Sequence, residues 1–214
     1  MFTAKSFLFY PDDIQMTGLS DEIILPSAHF MELLETFHDE TVLYVTLTNP
    51  HNQLRYLATI GLSHDHDLNT VYMPLWIMDQ MQLIEGDNTI IIEKADVMDL
   101  PVATRIVIKP LEPFTGADLR SCMEEALMNL HSIQEGMTIP VCINDSWIIL
   151  VYLETVEPAA LSRIVSGEVD VEFMEEEEVD LPKPIALTAA LTAALTAEER
   201  KKQVRDAWSK RILS

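Results

Sequence analysis

Positive charge is scarce in this chain. Its 214 residues hold 14 Lys+Arg against 35 Asp+Glu, a formal net charge of −21. A surface so acidic repels phosphate backbones, which sets nucleic-acid binding aside. It favours basic partners instead, chiefly by speeding encounter. Cysteine is nearly absent: Cys122 and Cys142 alone make no disulfide scaffold, and a reducing compartment is expected. The six glycines are too far apart to build a phosphate-cradling loop, so neither the dinucleotide fingerprint nor the P-loop exists. No uninterrupted apolar run approaches the ~18 residues that span a bilayer. No N-terminal stretch joins a basic region, an apolar run and a small-residue cleavage site. The expectation is a soluble intracellular protein without membrane insertion.

Catalytic signatures are missing as well. The chain has no G-x-S-x-G, C-x-x-C, H-E-x-x-H or D-[ST]-G. A metal is suggested only by "SHDHDL", where His64, Asp65, His66 and Asp67 cluster nitrogen and oxygen donors. In an extended segment the two histidines point one way and the two aspartates the other, so a solvated loop is expected. Cys122 borders an apolar helix stripe and Cys142 lies in an apolar strand. Both read as small buried hydrophobes rather than nucleophiles. No metal, cofactor or catalytic residue is assigned.

What is present is an apolar fraction of 48%, enough for a real core, arranged as short runs between turn signals. "TVLYVTL" and "LRYLATIGL" flank "NPHNQ" as a hairpin. "NTVYM", "NTIIIE" and "ATRIVIK" read as strands, "MTIPVCI" and "WIILVYLETV" as a late hairpin, and "SGEVDVEF" as a half-exposed strand. Two helices interrupt them. "LPSAHFMELLETF" opens on Ser27 as a plausible cap, with Phe30, Leu33, Leu34 and Phe37 at helical spacing. "TGADLRSCMEEALMNL" sets Leu119, Met123, Leu127 and Leu130 on one stripe. The sum is a strand-rich α+β chain, with a boundary near "KPLEPF", where two prolines mark an extended connector.

After Phe173 the composition changes. "MEEEEVDLPKP" is an acidic, proline-marked linker, and "ALTAALTAALTA" repeats one tetrapeptide. Thr196 and Glu199 have capping-box spacing ahead of a basic amphipathic segment with Val204, Trp208 and Ile212 on one face. That face is the candidate docking surface of the tail. It could seat on the chain's own acidic body, in a partner's groove or on a membrane surface, or stay a frayed, solvated terminus.

Several blocks occur in a telling order: "DEIILP", "LTN", "YMPLWIMDQMQLIEGD", "ATRIVIKP", "LEPF", "LMNLHSIQEGMTIPV", "WIILVYLETVEPAA" and "VDVEF". Together, from Asp21 to Phe173, they resemble the N-terminal ubiquitin-binding region of the ubiquitin fusion degradation protein 1 family. The resemblance implies a double-psi β-barrel over residues 1–108 and a smaller α/β roll over 109–175. A linker at 176–185 and a helical tail at 186–214 complete the expected organisation. The signature residues would be Pro26, Pro74, Trp76 and Gly86. Pro74 suits the first turn of a short helix whose Trp76, Ile77 and Met81 press into the barrel. Gly86 turns the chain into the next strand, and Tyr72 and Met73 could be exposed in part.

The implied activity is non-enzymatic. Such a protein binds ubiquitin and polyubiquitin chains and passes ubiquitylated substrates to the valosin-containing AAA ATPase, together with that enzyme's nuclear-localisation-type companion cofactor. Its setting is ubiquitin-dependent and ER-associated degradation, in the cytoplasm and also the nucleus. The family's phenylalanine–x–glycine–x–glycine motif is absent, and Phe173 is the last phenylalanine. ATPase docking is then lost, or the Val204/Trp208 face replaces it, or the chain is a shortened homologue with another partner. The alternative function is a double-psi scaffold or enzyme without a ubiquitin role, its tail helix docking another partner; the enzyme would pair Asp87 or Asp96 with a second carboxylate.

Overall fold

The computed structural model describes residues 1–11, 18–37, 41–84, 89–111, 119–143, 147–165 and 169–174, with only the backbone of Trp147. Gly86, Asp87, the linker at 176–185 and the tail at 186–214, with Val204, Trp208 and Ile212, lie outside the described residues.

Six strands close a barrel: β1 (Phe2–Ser6), β2 (Glu22–Pro26), β3 (Tyr44–Thr48), β4 (Arg55–His64), β5 (Thr70–Met73) and β6 (Thr89–Lys94), in the order β1-β5-β2-β4-β3-β6. Two pairs are parallel, β1 with β5 and β2 with β4. The pairs β1–β6, β2–β5, β3–β4 and β3–β6 are antiparallel. Exchanging β1 with β4, β2 with β5 and β3 with β6 reproduces every one of these pairings. The barrel therefore has two topologically equivalent halves, each paired into the other.

The two halves also share a local device. β2 ends at Pro26 and leads directly into α1 (Ser27–Leu34); β5 ends at Met73 and leads through Pro74 into α2 (Leu75–Gln80). The prolines have nearly the same backbone angles, φ −57° and ψ 134° for Pro26, φ −56° and ψ 141° for Pro74. Proline holds its own φ there and lacks the N–H that a helix entrance leaves unpaired. Pro26, not Ser27, takes the capping position, and Ser27 becomes the first helical residue with no side-chain cap bond. The expected Ser27 cap is thus corrected: the strand runs to the proline and leaves no extended residue for serine to occupy.

Beyond the barrel, β7 (Arg105–Pro110), β9 (Thr138–Ile143), β10 (Trp147–Glu157) and β12 (Asp170–Phe173) form a second sheet in the order β12-β7-β10-β9. β8 (Ser132–Gln134) and β11 (Leu161–Arg163) pair separately. The expected division at 108/109 falls inside β7. α3 (Leu119–Met128) lies against β9 and buries Leu119, Met123, Ala126 and Leu127. Gly136 takes φ +84° in the turn between β8 and β9, a left-handed conformation that suits glycine.

One apolar core runs through both sheets. Ile23, Val45, Val71 and Ile90 of the barrel belong to the same buried cluster as Ile106, Met123, Ile139 and Val151. The α2 segment belongs to it too, with Trp76 7% exposed and Ile77 and Met81 buried. Polar contacts fix the end of that segment. The Asn49 side-chain amide, at the β3–β4 turn, donates to the Met81 carbonyl at 2.9 Å, and Asn52 does so at 3.2 Å. Gln80 reaches the Thr138 carbonyl at 3.2 Å. Tyr72 and Met73 are fully covered, against the expectation of partial exposure. β5 lies between β1 and β2, and Tyr10 and His64 pack edge-on to Tyr72 at 5.0 and 5.1 Å.

Candidate functional site: a cleft braced by a buried aspartate

A cleft of about 2070 Å³ opens where the barrel meets the second layer. Its walls include Tyr44 of β3, Lys94 of β6, the loop at 95–98, α3 with Arg120 and Leu127, and Arg163 at the end of β11. His131, just after α3, forms part of the lining.

Behind the histidine stands Asp21, 0% exposed although it is a carboxylate. The residue before β2 can be buried because its oxygens are fully engaged. Oδ2 accepts the backbone N–H groups of His131 at 2.9 Å and Ser132 at 3.0 Å. Oδ1 lies 2.8 Å from His131 Nδ1 and accepts the Thr59 hydroxyl at 3.3 Å. The same strand–helix connection is held twice more, by the Ser132 hydroxyl on the Leu57 carbonyl at 3.0 Å and by the Tyr44 hydroxyl on the His131 carbonyl at 3.3 Å. Asp21 thus clamps the start of β8 to the barrel. A buried charge is tolerated only with this kind of satisfaction.

The carboxylate also sets the electrostatics around it. Its hydrogen bond raises the pKa of His131 above the ordinary histidine value, against the opposing effect of burial. Burial first, and the Asp21 charge second, raise the Tyr44 phenol and push Tyr56 well above its ordinary range. The Tyr56 hydroxyl has no hydrogen-bond partner among the described residues. In chemical terms the arrangement is a carboxylate–imidazole pair with one edge toward the cleft, the imidazole side chain being 32% exposed.

This pair makes folding stability pH-dependent, with a definite sign. A folded-state pKa above the unfolded one means that the native state binds the proton more tightly. The contribution of His131 is complete below the unfolded value of about 6.5 and is lost as pH rises through the higher folded value. Urea midpoints followed from pH 6 upward should fall for the native sequence more steeply than for His131→Gln. Equal slopes would show that the histidine titrates no differently in the two states.

The residues singled out from sequence fall elsewhere. Pro26, Pro74 and Trp76 shape and plug the barrel. His64 ends β4 and is buried, its Nε2 2.9 Å from the Thr70 carbonyl, which corrects the expectation of a solvated loop. His66 stacks on it with ring centroids 5.8 Å apart. Asp67 accepts from the Asn69 N–H and the Thr70 hydroxyl, contacts that lower its pKa, Asn69 contributing most. Among the described residues no group of three or more His, Cys, Asp or Glu could hold a metal ion. Cys122 and Cys142 are half-buried rather than buried, because Cys122 sits at the edge of the α3 stripe and Cys142 alternates with inward-facing Val141 and Ile143. Asp96 lines the cleft, and its carboxylate accepts the Met98 N–H of its own loop at 3.2 Å.

Sequence reasoning missed Asp21, His131 and Arg163 as site residues. The one available signal was an aspartate directly before an apolar strand, and nothing local pairs it with a histidine 110 positions away. No model of a known protein family matches this chain, and no curated protein matches it.

Proposed function

We propose that this chain is a non-enzymatic adaptor that binds ubiquitin and polyubiquitin chains and recruits ubiquitylated proteins to an AAA ATPase unfoldase of the valosin-containing type. Its barrel is read as a double-psi barrel and the second layer as an α/β roll. The observation that carries this reading is where the resembling blocks meet. Asn49 of "LTN" donates to Met81 of the proline–tryptophan block, Gln80 of that block to Thr138 of "MTIPV", and Asp21 of "DEIILP" accepts from His131 and Ser132 of "LHS". These bonds join positions remote in sequence, so the blocks behave as one set of mutually dependent parts. The double-psi reading is supported by two equivalent halves that are joined by both parallel pairs and that each carry a strand–proline–helix corner.

Recognition would rest on charge and valency. An acidic surface steers a basic-rimmed apolar patch such as that of ubiquitin, and linked units add effective concentration to a weak single contact. A companion cofactor of the nuclear-localisation type and a cytoplasmic and nuclear setting belong to the same proposal. The Asp21–His131 pair favours a second reading, acid–base chemistry in the cleft. Against it, all the hydrogen bonds of Asp21 are to groups that hold the fold, and the hydroxyl within reach of His131 Nδ1, that of Thr59, is buried.

The deciding experiment is a titration of the isotope-labelled chain with ubiquitin and with linked chains. The expected result is weak, fast-exchanging shifts with the single unit and tighter binding with chains, confined to residues 1–174. If saturating chains move no resonance there, the adaptor reading fails.

A further inference from the structure

The cleft has two properties that acid–base chemistry does not need and ubiquitin steering does not explain. The first is size. At about 2070 Å³ it exceeds the roughly 300–1,000 Å³ of a small-molecule pocket. Polypeptide segments fill spaces of that extent.

The second is charge. Residues 1–174 carry 7 Lys/Arg and 27 Asp/Glu. Three of those seven bases, Lys94, Arg120 and Arg163, line this one cleft, with Asp96, Glu124 and Asp170 the acids among its described lining residues. Among the described lining residues the cations match the acids in number, and most of both are already engaged: Lys94 donates to the Thr36 carbonyl and Arg120 to the Val171 carbonyl. Asp96 accepts from its own loop, and Asp170 Oδ1 lies 3.9 Å from Arg120 Nη1.

Arg163 is the most specific element. Its Nε donates to the Leu100 carbonyl at 3.1 Å, which fixes the guanidinium plane. Its Nη groups make no hydrogen bond among the described residues. A guanidinium held at one edge presents its remaining N–H donors as a fork, the geometry that suits a carboxylate. The same lining includes the buried apolar side chains of Val97, Leu127 and Leu130 and the exposed ones of Met98 and Met128. Methionine is flexible and polarizable and repacks around varied side chains.

We propose that this cleft is a docking groove for a segment of a partner polypeptide that carries a carboxylate beside apolar side chains, the carboxylate seated on the Nη groups of Arg163. The apolar side chains cover Val97 and Leu127 and are gripped by the two methionines. The acidic body opposes such a segment at long range, so the preference is short-ranged. It is read at physiological salt, where the screening length is about 8 Å. This groove is independent of any ubiquitin surface: a ubiquitin titration can fail while the groove stands, and the reverse.

The test uses the full chain and a short fluorescent peptide of leucine and glutamate, with a second peptide in which glutamine replaces every glutamate. The glutamate peptide should bind about tenfold more tightly, a difference of about 1.4 kcal/mol. Its shifts should map to residues 94–98, 119–131 and 163–165. Arg163→Met should abolish the preference while leaving apolar binding, and Arg163→Lys should restore part of it. Met128→Asp, at a position 78% exposed and therefore safe for folding, should weaken both peptides. Equal affinities, shifts mapping elsewhere, or a preference that survives Arg163→Met would each overturn the proposal. So would movement of the Trp208 indole resonance with the cleft, which makes the chain's own tail the occupant. Cleft resonances that shift with protein concentration alone would make it a second copy, and would likewise overturn it.

Discussion

Replacing Asp21 by alanine should cost about 3–5 kcal/mol of folding stability, the largest effect expected from a single polar substitution in this protein. The carboxylate is wholly buried and serves four groups at once. Its removal strands two backbone N–H groups, on His131 and Ser132, in a site too well packed to collapse around them. An unsatisfied buried donor loses its desolvation cost without return, which is why truncation costs more than the net value of the bonds. Asp21→Asn is the informative companion. It keeps the size and one acceptor oxygen but turns an NH2 group toward donors, so an intermediate loss of about 1–3 kcal/mol is expected. It should also flatten the pH dependence attributed to His131, since the neutral amide no longer favours the imidazolium. Urea denaturation read by circular dichroism measures both variants. A loss below about 1 kcal/mol for Asp21→Ala would mean that the β8 connection is held by Ser132 and Tyr44 alone.

Trp76 is the second site of large effect, and here the two informative substitutions should diverge. Trp76→Ala removes the largest apolar group of the α2 plug and leaves a cavity against Tyr56, whose ring meets the indole edge-on at 5.7 Å. A loss of about 3–5 kcal/mol is expected. Trp76→Phe keeps most of the ring contact and deletes a buried indole N–H that has no hydrogen-bond partner among the described residues. The penalty for the lost volume is offset by removal of an unsatisfied donor, so the net loss should stay within about 1.5 kcal/mol. Thermal and urea unfolding of both variants checks the contrast. If Trp76→Phe were as damaging as Trp76→Ala, the N–H would be satisfied and the plug would depend on it.

The longer strands were legible because each carries its own pattern. "TVLYVTL" and "LRYLATIGL" around an Asn-Pro turn read as β3 and β4, and they pair antiparallel from Tyr44↔Thr59 to Thr48↔Arg55. The α3 stripe of Leu119, Met123, Leu127 and Leu130 is buried as its spacing predicts. The short strands were not legible. β8 and β11 have three residues each, too few for any period to show, and they exist because they pair with each other. Tyr72 was misjudged for a related reason. Four residues are too few to show which faces are covered, and only the neighbouring β1 and β2, with Tyr10 laid over it, decide that both are.

The candidate site was less legible than the fold. Arg163 and His131 are unremarkable in sequence, and their meaning comes from what is brought to them: the Leu100 carbonyl for one, Asp21 for the other.

The amino-acid sequence alone determined the alternation of strands and turns, the acidic balance and the lack of a phosphate-binding loop, because each is a property of neighbours or of totals. Tertiary structure decided that two equivalent halves interlock, that one aspartate is sealed away from water, and that three of the body's seven Lys/Arg line one cleft. Those depend on which distant segments meet, and strand register and burial are set by the closure of the barrel and not by any window of the chain.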